Sequence, residues 1–210
     1  KKKKENEKYF IKNLNYNNKN ILLRVDWNVP IDSNGIIIDY YRIKSSVETI
    51  KYLLDQNPNY ILIVSHLGRP KNNEHKYSWI NYLDQINKYL VSVDLPEIYF
   101  LKDGVSSNTL NILKENKTKI YLLENIRFHS EEINEGNTNK INKFKSQFNQ
   151  LGNIFVNDAF GCSHRNHISI TGFQGVKSYG FLIEKELDAL TSITNNINND
   201  KILNIIGGAK

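Results

Sequence analysis

The stretch YILIVSHLGRPK, residues 60–71, decides the fold class. It opens with Tyr60, Ile61, Leu62, Ile63 and Val64, an apolar run without polar alternation. A strand wet on one face alternates polar and apolar residues. A short run that is apolar on both faces belongs in a parallel sheet covered on both sides. The run then breaks into Ser65, His66, Gly68, Arg69 and Pro70. Taken alone, that ending is ordinary loop punctuation, because Gly, Pro and polar residues follow strands in any fold.

Reading outward, the period of the pattern switches repeatedly. NILLRVD (20–26) reads as a buried strand. DYYRIKSSVETIKYLLD (39–55) sets Ile43, Val47, Ile50 and Leu54 on one helical face. SWINYLDQINKYL (78–90) is expected to be a helix with Ile80, Leu83, Ile86 and Leu90 inward. IYFL (98–101) is a third strand, TLNILKE (109–115) a short helix and KIYLLEN (119–125) a fourth strand. INKFKSQFNQL (141–151) gives a stripe of Ile141, Phe144, Phe148 and Leu151; NIFVND (153–158) is a fifth strand. EKELDALTSIT (184–194) is a helix and KILNIIGG (201–208) a last strand, while 130–140 is polar and reads as a loop. Strands of four to seven residues alternating with longer helices predict an α/β fold: a three-layer, Rossmann-like parallel sheet with helices on both faces.

Bulk composition narrows the function classes. With 40% hydrophobic and 24% charged residues the chain is globular in type, and no apolar run approaches the ~18 residues of a membrane helix. One cysteine, Cys162, excludes a disulfide framework and fits a reducing, cytoplasmic compartment. The net charge of +6 comes mostly from scattered lysines. Only five of the 28 bases are arginine: Arg24, Arg42, Arg69, Arg127 and Arg165. In a Lys-rich chain the arginines mark places where a planar, bidentate fork is needed rather than a plain charge.

In an open parallel sheet, ligands bind beyond the carboxyl ends of the strands. The first strand delivers Asp26 and Asn28 there, and Arg42 opens the next helix. The second delivers His66 and Arg69. The fourth delivers Glu124, Asn125, Arg127 and His129, and the fifth Asn157, Asp158, His164, Arg165 and His167. Any one loop is unremarkable. Four loops carrying Arg and His to one edge describe a site for a multiply charged anion, such as a phosphorylated or carboxylated metabolite. Arg24 lies inside its strand and reads as structural, paired to an acid.

The segments RVDWNVPI, SHLGRPK, LLENIRFHSEE, FVNDAFGCSHRNH, GFLIEKEL and IIGGAK, in this order, resemble the phosphoglycerate kinase family from about residue 20 to residue 210. Six motifs in register are far more specific than any one. The resemblance implies a soluble, monomeric glycolytic phosphotransferase, interconverting ATP plus 3-phosphoglycerate and ADP plus 1,3-bisphosphoglycerate. It also implies roles. Asp26 and Asn28 would meet the hydroxyl and carboxylate end of the substrate. Arg42 would sit by the transferring group. His66 and Arg69 would complete the basic patch, and Arg127 and Arg165 would bind the phosphate. Lys210 would act from the nucleotide side, as a catalytic and nucleotide-binding residue.

The resemblance further implies residues 1–183 as the 3-phosphoglycerate-binding domain, 184–199 as an interdomain helix, and 200–210 as the first strand of a nucleotide-binding domain. ATP or ADP with Mg2+ would be held mainly by that second domain, beyond this chain. Ile202, Leu203, Ile205 and Ile206 would then lack sheet partners. The chain alone is expected to bind 3-phosphoglycerate and to turn over nothing; IIGGAK is not a Walker A loop, and no G-x-G-x-x-G occurs. Departures from the family pattern are Trp27 for Phe, Cys162 and Ser163 for Thr and Ala, and Ile168 for Ser. None is a residue assigned to substrate. Cys162 reads as a small buried filler, and His164 and His167 as supports for the segment leading to the hinge.

Three other readings compete. A non-catalytic anion-binding module would use the same rim. An aspartyl-phosphate phosphatase would use Asp26, but it wants a second acid two residues on, where Asn28 cannot titrate. Nucleic-acid binding rests on net charge alone, and the rim lacks aromatic stacking platforms.

Overall fold

The computed structural model describes residues 8–71 and 73–196. Six strands form one all-parallel sheet: β1 (Asn20–Val25), β2 (Tyr60–Val64), β3 (Tyr99–Leu101), β4 (Ile120–Leu123), β5 (Ile154–Asp158) and β6 (Val176–Tyr179), in the order β3-β4-β2-β1-β5-β6. The helices are α1 (Tyr41–Asp55), α2 (Leu83–Ser92), α3 (Ser107–Glu115), α4 (Thr138–Asn149), the single turn α5 (Ile168–Thr171) and α6 (Phe181–Asn196). The expected parallel α/β architecture is the one observed.

The apolar runs are explained by what covers each face. Ile21, Leu23, Val25, Ile61, Ile63, Ile120, Leu122, Ile154 and Val156 point into one core with Ile43, Ile50 and Leu53 of α1 and Ile86 and Leu90 of α2. The alternate residues Leu22, Leu62, Val64, Tyr121, Leu123 and Phe155 point into the other, with Leu113 of α3 and Phe144 and Phe148 of α4. A fully buried side chain of this kind stabilises the fold by about 1.5–3 kcal/mol. The apolar residues of the central strands therefore contribute whichever face they occupy. Helix ends are closed locally: the Ser106 hydroxyl accepts from the Thr109 N–H at 3.1 Å before α3, and Asn137 accepts from Lys140 N–H at 2.9 Å before α4.

Some elements differ from expectation. The helix expected from Ser78 starts at Leu83, after a 3-10 turn Trp79–Asn81 that buries Trp79 and leaves Ile80 exposed. The large indole takes the inward position that the helical period gave to Ile80. In α1 the third fully buried apolar residue, after Ile43 and Ile50, is Leu53, with Val47 and Leu54 only partly covered. β6 was not anticipated, because Val176 and Lys177 on this edge strand are exposed and carry no apolar run. The segment 130–140 contains a 3-10 turn, Ser130–Ile133, that buries Glu132 completely. The helix expected from residue 184 begins at Phe181. Residues 197–210, including Lys210 and the expected last strand, lie outside the described residues.

Candidate anion site

The four adjacent strands β4, β2, β1 and β5 each send a loop to the same sheet edge. Asp26, Asn28, Arg42, His66, Gly68, Arg69, Arg127, Gly161, Cys162 and Arg165 line one cavity of about 340 Å³ there. All seven substrate-contacting residues expected from the sequence surround it. Lys210 is the one expected site residue outside the described residues. A second cavity of about 370 Å³ is lined by Arg69, Pro70, Arg127, Ile133, Arg165 and His167. Arg69, Arg127 and Arg165 thus form the wall shared by the two.

The loops are tied to one another by backbone contacts. The Gly68 N–H donates to Asn28 Oδ1 at 2.7 Å, and the Arg127 guanidinium donates to the Gly68 carbonyl at 2.6 Å. Gly68 has φ +61, and a Cβ there would lie 2.3 Å from the Tyr77 ring. Glycine is required for that approach as well as for the left-handed turn. Asn125 is fully buried and accepts from the Leu67 N–H at 3.2 Å; its amide donates to Leu67 O and Tyr77 O. It holds the β2 loop against the β4 loop. Trp27 donates its indole N–H to Ser46 at 2.9 Å and meets Trp79 edge-on at 6.4 Å, so it anchors the Asp26–Asn28 turn to α1.

The charge distribution is one-sided. Arg42, half-exposed at the start of α1, is ion-paired with Asp26. Among the described residues, Arg69, Arg127 and Arg165 make no ion pair with a carboxylate. Three guanidinium groups facing one wall without counter-charge form an anion hole, since each offers a fork of N–H donors. Burial, and then the neighbouring Arg165 and Arg24, lower the Arg127 pKa. His66 is only 4% exposed, and burial followed by Arg24, Arg127, Arg165 and Arg42 pushes it down to about 2. Both the burial and the surrounding guanidinium groups favour the neutral ring over the charged one.

Other polar groups fall into place around this wall. His167 borders the second cavity with Nδ1 3.8 Å from Glu132; burial and then Arg127 hold it down at about 4. His129 is structural, its Nε2 accepting from the Val105 N–H at 3.1 Å. Cys162 is buried beside Ala159 and Ile170 as a filler, yet it also forms part of the cavity wall, and burial pushes its thiol up. Asn125 is placed at this edge by the sequence but given no role; Glu132 is not placed there, and no signal in the sequence marks it.

Among the described residues, Asp26, His66 and Cys162 have the spacing of a metal site, with ligand atoms within 4.8 Å of one another. The chemistry does not suit a hard cation. Asp26 is paired to Arg42, and the His66 Nδ1 already faces Arg24 at 3.3 Å. Mg2+ takes oxygen ligands and water, and here it would sit among guanidinium groups. These residues do not fit Mg2+.

The family profile described as phosphoglycerate kinase matches residues 11–210. The chain belongs to the phosphoglycerate kinase family. Curated phosphoglycerate kinases of Helicobacter pylori and Plasmodium falciparum are 40% and 39% identical to it, over 95% and 92% of this chain and 48% of each relative. That of Kluyveromyces lactis is 37% identical over 97% of this chain and 50% of its own length. Among solved structures, phosphoglycerate kinase from Pyrococcus horikoshii superposes with a TM-score of 0.77 at 28% identity, covering 92% of this chain and 47% of that one. The Coxiella burnetii phosphoglycerate kinase gives 0.70 at 29% identity, with 87% and 44% covered. The chain thus spans about half the length of the phosphoglycerate kinases it matches. Among the described residues no helix is long and apolar enough to cross a membrane.

Proposed function

We propose that this chain binds 3-phosphoglycerate in the arginine-lined cavity, as the acceptor-binding half of a phosphoglycerate kinase. The observation that carries the reading is the shared wall of Arg69, Arg127 and Arg165, three cationic forks with no carboxylate partner among the described residues. The substrate phosphate takes that wall. The glycerate hydroxyl and carboxylate face Asp26 and Asn28 of the same cavity. Arg42 stands beside the acceptor carboxylate, where the transferred phosphoryl group arrives.

Phosphoryl transfer to a carboxylate needs little covalent help from the protein. Charge builds on the equatorial oxygens, and catalysis is positioning plus neutralisation of that charge. Arg42 supplies neutralisation, and the wall of three arginines fixes the substrate's far end so that its carboxylate is presented in line. ATP or ADP with Mg2+ would belong to the nucleotide-binding half, together with Lys210. Domain closure would bring the two substrates together and exclude water. The chain 1–210 by itself binds and does not turn over, as a monomer in the cytoplasm.

Titration of purified chain 1–210 with 3-phosphoglycerate tests this. Saturable binding, lost in Arg165→Ala and not reproduced by equal concentrations of inorganic sulfate, is the expected result. No heat, or equal binding of sulfate, would remove the substrate assignment. Phosphorylation of 3-phosphoglycerate from ATP by chain 1–210 would overturn the placing of the nucleotide site. A non-catalytic anion-binding module predicts the same titration, but no turnover when the chain is joined to a nucleotide-binding half.

A further inference from the structure

We propose that Arg24 is a positioning residue: it holds His66 as the neutral imidazole with its proton on Nε2, so that the ring offers the cavity a directional N–H donor. The proposal rests on the reading of the cavity as the substrate site. It starts from a side chain that the pattern of the strand makes unexpected. Arg24 sits in the middle of the sheet and is fully buried, between Leu23 and Val25 of the core.

Three contacts fix its guanidinium. Nε donates to Ser169 Oγ at 2.8 Å, Nη1 donates to the Val25 carbonyl, and Nη2 lies 3.3 Å from His66 Nδ1. A guanidinium has five N–H donors and no acceptor. The His66 nitrogen that meets it must therefore accept. In a neutral imidazole one nitrogen accepts and the other carries the proton, so the proton is on Nε2. The Cys162 thiol lies 4.0 Å from the same Nδ1, and a thiol is at most a weak donor there. The two hydrogen-bonding neighbours of Nδ1 that the structure gives, a guanidinium and a thiol, are thus both groups that can donate.

Glu132 closes the other end, a carboxyl whose pKa burial pushes up and Arg24 draws back down. It is fully buried, and it accepts from both the N–H (2.8 Å) and the hydroxyl of Ser169. A chain of contacts therefore runs Glu132, Ser169, Arg24, His66 beneath the floor of the cavity. It links the β4 loop to the β2 loop through a residue that does not itself line the cavity. Arg42, Arg69, Arg127 and Arg165 already surround that space. A fifth cation would repel them, whereas a neutral N–H adds direction without charge. Arg24, which reads as a structural residue, then acts on the substrate through the tautomer it imposes.

The test is a long-range 1H–15N correlation spectrum of chain 1–210, recorded without ligand. In the wild type His66 should show an acceptor-type Nδ1 and a protonated Nε2, unchanged from about pH 5 to pH 8, where an ordinary histidine changes charge. Arg24→Met should mix the tautomers and weaken 3-phosphoglycerate binding on the order of tenfold, the scale of one charge-assisted hydrogen bond. Arg24→Met/Glu132→Gln serves if the single variant does not fold, because it leaves no unpaired buried carboxylate. In a His66→Gln background, whose amide donates from near the Nε2 position, Arg24→Met should no longer change affinity. A wild-type His66 protonated on Nδ1 would overturn the proposal. So would Arg24 variants with an unaltered His66 spectrum, or additive effects of the two substitutions on affinity. The spectrum needs no substrate, so its outcome is separate from whether 3-phosphoglycerate binds at all.

Discussion

Arg42 and Asp26 form an ion pair that adds little to stability. The Arg42 side chain is 47% exposed, and exposed ion pairs contribute about 0–1 kcal/mol. When an anion enters, the same guanidinium can turn one edge of its fork to the ligand while Asp26 keeps the other in place. Arg42→Lys retains the charge and loses the fork. Since a hydrogen bond to a charged group is worth about 1.5–3 kcal/mol, kcat/KM of the complete enzyme should fall roughly tenfold to a hundredfold. The thermal midpoint of the chain should hardly move. Unchanged turnover would take Arg42 out of the mechanism. The arginine rim could be read from the sequence because arginine is scarce in a Lys-rich chain. Glu132 could not. Its burial depends on Ser169, 37 residues later, and nothing in the polar run around it distinguishes it from a solvated acid.

At the scale of single elements, two close approaches decide local stability. Gly68 turns the β2 loop at φ +61 directly beneath the Tyr77 ring. Gly68→Ala meets both the left-handed backbone cost of about 1–2 kcal/mol and a clash with an aromatic ring. Its denaturant midpoint should drop clearly, and 3-phosphoglycerate affinity should drop with it, because Gly68 also carries the contacts to Asn28 and Arg127. An Ala variant with wild-type midpoint would show that Tyr77 can swing aside.

The start of α6 depends on Asp158 at the end of β5. Its carboxylate is 1% exposed and accepts from the Leu182 N–H at 2.9 Å, beside Thr49 of α1, the Ile183 N–H and the acid Glu184. Burial dominates and pushes its pKa up to about 6 from an ordinary 3.8. A carboxyl group raised in the folded state binds its proton more tightly there than in the unfolded chain. Its contribution is complete below about pH 4 and is lost as pH rises through about 6, by roughly 3 kcal/mol in all. The stability difference between wild type and Asp158→Asn should therefore shift against the wild type between about pH 4 and pH 7, by up to that amount, in denaturant unfolding at fixed ionic strength. A flat difference would mean the carboxylate is as well solvated inside as outside. This end of α6 was legible only in part. The apolar period marked a helix, but its first residues depend on an acid more than twenty positions upstream.

For the whole molecule, parallel architecture was legible because the central strands are apolar on both faces, and no half-exposed sheet tolerates that. β6 was not, because it is a short edge strand that ladders with β5, pairs with the N-terminal segment through the isolated Phe10–Tyr179 bridge, and leaves Val176 and Lys177 exposed. The placing of the site followed from the architecture: four neighbouring strands end on one edge, so scattered arginines become one field. That field should be salt-sensitive. Raising ionic strength from about 0.01 M to about 0.15 M shortens the Debye length from about 30 Å to about 8 Å. The affinity of chain 1–210 for 3-phosphoglycerate should fall over that range, as read by titration calorimetry. Salt-independent binding would show that only direct contacts matter.

The strand order also sets a timetable for folding. β1 lies between β2 and β5, and Asn20 is bonded to Asn153, 133 positions away. Local pairing can assemble β1 with β2 early, whereas closing so long a loop is slow, because its entropy is lost before the contact rewards it. Cys162 and Arg165 arrive only with β5. During refolding, the ability to hold an anion should appear as a late phase, after most of the backbone has become ordered. A chain leaving the ribosome could not hold an anion at this edge until its fifth strand is in place.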